Sequence, residues 1–246
     1  MESVCEQQFT VTAMEVDRYG RTKPSTILYY AQEAAGAHCL QLGTDWETLA
    51  ARNLFWAVLR HRVQITRLPV IGERITVRTW PMPTTRASFP RATAAYDAQG
   101  NELFRIISLW VLMNTESRAM VLPGKSGIIV DGTVCGNELS APGSIIPMAM
   151  DHSADRRVGF CELDRNGHMN NTRYMDWVMD LLPSPFHANH TVREFTVCYL
   201  AEATEGQQLQ LHWQLDTEGC LHAEGYRPHP SEEGKTERIF ASQVLF

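Results

Sequence analysis

The sequence carries no basic excess and no basic run. Its 246 residues have a formal net charge of −6, so the chain lacks the electrostatic footprint of a nucleic-acid binder. It also lacks any C-x-x-C pair. Cys5, Cys39, Cys135, Cys161, Cys198 and Cys220 are scattered, which argues against a disulfide framework and for reduced thiols, most of them buried as small hydrophobes. No apolar run approaches the ~20 residues that cross a bilayer. The opening segment, MESVCEQQFTV, has neither a charged stretch followed by an apolar one nor an Arg- and Ser-rich composition. No signal or transit peptide is expected, and a bacterial cytoplasm is the expected location. His187 and His190 have ligand-like spacing, but no Cys or third ligand accompanies them, so no metal and no cofactor is expected.

What the sequence does have is enough apolar material for cores. Hydrophobic residues make up 44%, a globular usage, and the length suits two small domains better than one. A strand is predicted near 9–14 and a helix over 24–42, where Pro24 suits a first turn. Ile27, Tyr30, Ala31 and Ala34 fall at i, i+3, i+4 and i+7, one buried helical face. Strand patterns follow in VLRHRVQITRL, RITVRTWP, RASFPRATAAYD and LFRIISLWVLMN. From 116 to 147 the patterning fades among Pro and Gly residues, which predicts a linker. The programme then restarts with a strand near 153–160, a helix over 171–182 and four strands to the end. The expected domains are 1–117, a linker at 118–147, and 148–246.

A helix followed by a curling antiparallel sheet is the hot-dog arrangement. The predicted fold class is therefore α+β, a tandem hot-dog in which each sheet wraps a long helix. The duplication is legible residue by residue. EVDRYGRTKPSTILYYAQEA aligns without gaps on ELDRNGHMNNTRYMDWVMDL, matching Glu15, Asp17, Arg18 and Gly20 to Glu162, Asp164, Arg165 and Gly167. The helical faces coincide too, with Ile27, Tyr30, Ala31 and Ala34 on Tyr174, Trp177, Val178 and Leu181.

Where two copies share a scaffold, their differences mark function. Tyr19 becomes Asn166 and Arg21 becomes His168. Leu68, four residues before Gly72, becomes Glu202, four before Gly206. The second copy gains an amide, an imidazole and a carboxylate, the groups needed to orient an acyl carbonyl, activate water and stabilise charge. Asp164 and Asn166 also have an ordinary reading as turn formers or helix caps. Asp17 persists in the first copy, which gives Asp164 a structural share.

LDRNGHMNN, residues 163–171, resembles the D-x-N-x-H-x-N-N signature of the acyl-acyl carrier protein thioesterases of plants and bacteria. FTVCYLAEA, residues 195–203, resembles that family's strand bearing a glutamate, and WAVLRHRVQITRLPVIGE and SLWVLMN resemble its first domain. The resemblance implies Asp164, Asn166, His168 and Glu202 as catalytic residues of a thioester hydrolase in fatty acid biosynthesis. A backbone amide near the second helix would polarise the carbonyl, and the degenerate first domain would shape the acyl pocket, with Leu28, Trp56 and Val58 as lining. Many plant members have a cysteine directly after the glutamate; here Ala203 stands there, so water is the expected attacker.

The implied partner is acyl carrier protein, acidic as a class. Arg60, Arg62, Arg67, Arg86 and Arg91 are the candidate basic contacts, and a monomer or homodimer is expected. An acyl-coenzyme A thioesterase, a hot-dog dehydratase and a non-catalytic acyl-binding module remain alternatives at this point.

Overall fold

A computed structural model describes residues 3–130, 132 and 139–246, so Cys135 lies outside the described residues. The chain forms two compact units, Met1–Pro142 and Gly143–Phe246. Among the described residues, no helix is long and apolar enough to cross a membrane.

In the first unit, β1 (Cys5–Thr10) leads through a 3-10 turn into α1 (Pro24–Gln41). Pro24 occupies the first turn of α1, where its missing N–H costs nothing. Ile27, Tyr30, Ala31 and Ala34 are all buried, as their spacing predicts. A short α2 (Trp46–Ala50), not anticipated from the periodicity, starts because the Asp45 carboxylate accepts the amides of Glu47 and Thr48. The sheet then comprises β2 (Leu54–Ile65), β3 (Arg74–Pro81), β4 (Phe89–Tyr96) and β5 (Glu102–Asn114), antiparallel in the order β1-β3-β4-β5-β2.

Part of the segment read as a linker is built into this unit. β6 (Met120–Val121) pairs with β5, α3 (Pro123–Ser126) follows, and Ile128 joins a core cluster with Leu49, Leu54, Phe89 and Leu112.

The second unit repeats the order. β7 (His152–Arg157) precedes α4 (Arg173–Met179) and α5 (Ser184–Asn189). β8 (Glu194–Tyr199), β9 (Gln208–Leu215), β10 (Cys220–Pro228) and β11 (Thr236–Leu245) complete an antiparallel sheet ordered β7-β9-β10-β11-β8. Strand for strand this is the topology of the first sheet, and the fold is a double hot-dog.

The second helix is shorter than the predicted 171–182. Asp180 closes it, and Leu182 precedes Pro183, a position held out of the helical region. Its apolar face still packs inward: Tyr174, Trp177 and Val178 are buried, and the Tyr174 ring meets Tyr199 and Phe240 edge-on at 5.4 and 4.9 Å. Gly225 on β10 makes room for Phe240; a Cβ there would stand 2.3 Å from a ring carbon.

Candidate active site

The two units fold the same turn before their helices. In the first, Asp17 Oδ1 accepts the amides of Tyr19 and Arg21 at 2.8 and 3.0 Å, while Gly20 N–H donates to Asp17 O at 3.0 Å. In the second, Asp164 Oδ1 accepts the amides of Asn166 and His168 at 2.8 and 3.1 Å, and Gly167 N–H donates to Asp164 O at 3.0 Å. The glycines have φ of +77° in both copies, a backbone state that a side chain would strain. An aspartate and a glycine at this spacing therefore dictate the turn, and Asp164 serves first as its organiser.

The strand that flanks each turn is also held in one register. Thr22 N–H donates to Pro69 O, and Met169 N–H donates to Ala203 O, each at 2.8 Å. Arg21 bridges Val70 as His168 bridges Thr204. Leu68 and Glu202 are thus structural equivalents, as the spacing to the glycines predicts.

On this shared frame the side chains differ. Arg21 folds onto Asp17 Oδ2 at 2.9 Å, and Leu68 is buried. In the second unit His168 Nε2 lies 3.3 Å from Glu202 Oε2, with the imidazole 18% and the carboxylate 41% exposed. A half-exposed carboxylate against a mostly buried imidazole can share a proton while one face stays open to water. Asp164, Asn166, His168 and Glu202 are brought into one neighbourhood by the turn and the end of β8.

Most backbone amides of this turn are engaged. Asn166 and His168 donate to Asp164, Met169 to Ala203 O, Asn170 to Glu162 O, Thr172 to Asn170 Oδ1 and Arg173 to Asn170 O.

Two neighbours escaped the sequence reading. Arg227 on β10 donates from Nη1 to Glu202 O and to Gln207 Oε1, both at 2.8 Å, and anchors its other edge on Glu237 at 2.7 and 2.9 Å. It clamps the loop that presents Glu202. Tyr174, read only as core, has its hydroxyl held above the ordinary phenol range by burial, opposed by Arg227 and reinforced by the charges of Asp164 and Glu202. It stays protonated.

Residues 2–122 match the acyl-ACP thioesterase N-terminal domain and residues 147–237 the C-terminal domain of the same family. The chain belongs to the acyl-ACP thioesterase family. A palmitoyl-acyl carrier protein thioesterase of Gossypium hirsutum is 26% identical over 222 residues, covering 84% of this chain and 54% of its own length. A dodecanoyl-[acyl-carrier-protein] hydrolase of Cinnamomum camphora is 27% identical over 227 residues, covering 84% and 58%. The chain spans about half the length of these curated relatives. An acyl-ACP thioesterase from Bacteroides thetaiotaomicron superposes with a TM-score of 0.86 at 26% identity, over 99% of this chain and 98% of that one. The fold is also that of a 12:0-ACP thioesterase from Umbellularia californica, with a TM-score of 0.82 at 23% identity over 100% and 97%.

Several expectations about side chains are corrected. Arg91 cannot be part of an outward basic patch: it is buried, with Nη1 3.2 Å from His38 Nδ1 and 3.3 Å from Thr79 Oγ1. Its position on β4 turns it toward α1, whereas Arg67 and Arg86 are exposed. Of the cysteines, Cys5 and Cys198 are buried but Cys161, in a surface 3-10 turn, is exposed. His187 and His190 are taken up by the carbonyls of Met179 and Phe186 at 3.0 and 2.9 Å. Leu28 is buried in α1, and Trp56 donates its indole N–H to Thr44 O at 2.9 Å while meeting the Phe89 ring edge-on at 5.0 Å. Val58 sits beside the bulge of β2 and is half-buried.

Proposed function

We propose that this acyl-ACP thioesterase family member hydrolyses fatty acyl-acyl carrier protein thioesters to free fatty acid and the holo carrier. The observation that carries the reading is the His168–Glu202 pair at 3.3 Å, present on a turn whose first-unit copy has an arginine and a leucine instead.

In this mechanism a water beside the pair loses a proton to it while its oxygen attacks the thioester carbonyl carbon. The imidazole and the carboxylate share that proton. The tetrahedral intermediate collapses with cleavage of the C–S bond. The leaving thiolate takes the proton back, and a thiol pKa of ~8.5 makes it an undemanding leaving group.

A backbone amide near the helix start polarises the carbonyl, and the Asn166 side chain helps position the carbonyl or the water. Asp164 acts through the turn, holding Asn166 and His168 in place. Ala203, fully buried, supplies no nucleophile. The first unit contributes Leu28, Trp56 and Val58 to an acyl pocket. The acidic carrier meets basic side chains, for which Arg60, Arg62, Arg67 and Arg86 are the remaining candidates. A monomer or homodimer fits this role, with no nucleic-acid partner.

The test is thiol release from the same acyl chain loaded on carrier protein and on coenzyme A. Faster turnover on the carrier supports the reading. Equal or faster turnover on coenzyme A makes the chain an acyl-CoA thioesterase, and no release from either leaves a binding module.

A further inference from the structure

Two hairpin turns, one in each unit, are built alike although they join strands that do not correspond: β4 to β5 in the first unit and β9 to β10 in the second. Between β4 and β5, Asp97 Oδ1 accepts the amides of Gln99 and Asn101 at 2.9 and 2.8 Å, Gly100 closes the turn, and Asn101 Nδ2 donates to Asp97 Oδ2 at 2.9 Å. Between β9 and β10, Asp216 Oδ1 accepts the amides of Glu218 and Cys220, both at 2.9 Å, and Gly219 closes the turn. The two glycines have φ of +83° and +82°. An aspartate and a glycine suffice for a turn of this type, and the β4–β5 turn completes it with asparagine.

Where the β4–β5 turn carries Asn101 and Leu103, the like-built β9–β10 turn carries Cys220 and His222, and His222 Nε2 lies 3.0 Å from Asp216 Oδ2. Sγ of Cys220, the ring nitrogen and the carboxylate oxygen all lie within 4.8 Å of one another, and all three residues are half-buried. The turn requires neither the thiol nor the imidazole. The far ring nitrogen, Nδ1, is 3.4 Å from the Gln243 amide. Amide orientation is an assignment; turned over, the Gln243 oxygen accepts an Nδ1–H and leaves the Nε2 lone pair aimed at the cluster. Ligating histidines are commonly oriented this way.

We infer that Asp216, Cys220 and His222 form a binding site for one borderline-soft divalent cation of the zinc class, with water as the fourth ligand. Imidazole plus thiolate selects zinc-like ions over calcium or magnesium. A donor set this compact closes on an ion at bonds of about 2.0–2.3 Å with roughly an ångström of side-chain adjustment. Binding replaces the thiol proton, which passes to solvent, and pins both strands of the hairpin. The site is not part of the hydrolytic centre, because the eight residues of β9 separate Asp216 from Gln207 by about 25–30 Å at ~3.3 Å per residue.

The test uses the full chain, stripped with a chelator and titrated with Co²⁺ and Zn²⁺. One equivalent of Co²⁺ is expected to give a thiolate-to-cobalt band in the near ultraviolet. Cys220→Asn, which places there the residue that the like-built β4–β5 turn carries and so preserves the turn, should abolish the band. His222→Gln should weaken Zn²⁺ binding more than tenfold. Both variants should keep hydrolytic turnover, so the result is independent of the proposed thioesterase activity. A missing band in the native chain, a band that persists in Cys220→Asn, or unchanged Zn²⁺ affinity in His222→Gln would overturn the site.

Discussion

His168 Nε2 and Glu202 Oε2 lie 3.3 Å apart, while their first-unit equivalents, Arg21 and Leu68, point to different partners: Arg21 ion-pairs with Asp17 at 2.9 Å and Leu68 is buried. One backbone frame thus carries a proton-sharing pair in one copy and an inert pair in the other. Arginine stays protonated at neutral pH and leucine cannot accept a proton, so the proposed chemistry belongs to the second unit alone.

Replacing either member of that pair should remove turnover without unfolding the chain. His168→Ala and Glu202→Gln are each expected to lower kcat by about 10²–10⁴, the scale of general-base assistance. The turn survives because its bonds come from Asp164 and the His168 backbone. Steady-state kinetics alongside circular dichroism checks this, and near-native kcat in a folded His168→Ala protein would refute the assignment.

Chain-length preference should follow the first unit instead. Substitutions at Leu28 and Val58 are expected to shift the preferred acyl length, at ~1 kcal/mol for each methylene gained or lost. Asn166→Ala should depress all lengths alike. Trp56 is a poorer probe, since its indole N–H holds Thr44 O and its loss also disturbs α2. Turnover profiles over a series of acyl lengths decide the matter. Uniform loss from Val58→Ala, combined with a shifted profile from Asn166→Ala, is the outcome that rejects this division.

Stability should fall in acid in part through His61. Burial pushes its pKa down to about 3, while the unfolded chain keeps about 6.5. Between those values the unfolded state binds more protons, so stability rises with pH there, by at most ~1.4 kcal/mol per unit from this group. The contribution is fully present above about pH 6.5 and is lost as pH falls toward the folded pKa. His61→Gln, which keeps a partner for Ser108, whose Oγ is 2.7 Å from the ring, should flatten the dependence of Tm on pH between 4 and 6.5. An unchanged slope would show that other groups govern the acid limb.

Gly225→Ala should destabilise the second unit. The new Cβ would sit 2.3 Å from Phe240 Cε1, and that ring is fully buried against Tyr174. Overpacking of this kind costs about 1–3 kcal/mol, read as a Tm lowered by several degrees. Gly43→Ala is no suitable control, because Gly43 has φ of +65°; Gly36→Ala, with open space around its Cβ, should leave Tm unchanged or raise it.

The amino-acid sequence by itself determined what is local or repeated. The helical face of Ile27, Tyr30, Ala31 and Ala34, the matched D-x-x-G turns and the equivalence of Leu68 with Glu202 were legible because each is encoded within a few residues or in the spacing between two copies. Side-chain direction and long-range partners were decided only by tertiary structure. Arg91 reads as a surface charge until the β4 register turns it toward His38. Arg227 reaches Glu202 O, 25 positions away, because the bulge at Gly225 and Tyr226 sets which side of β10 it occupies. Strand pairing fixes such contacts through hydrogen bonds between distant segments, and a one-residue change of register reverses the face that every side chain presents.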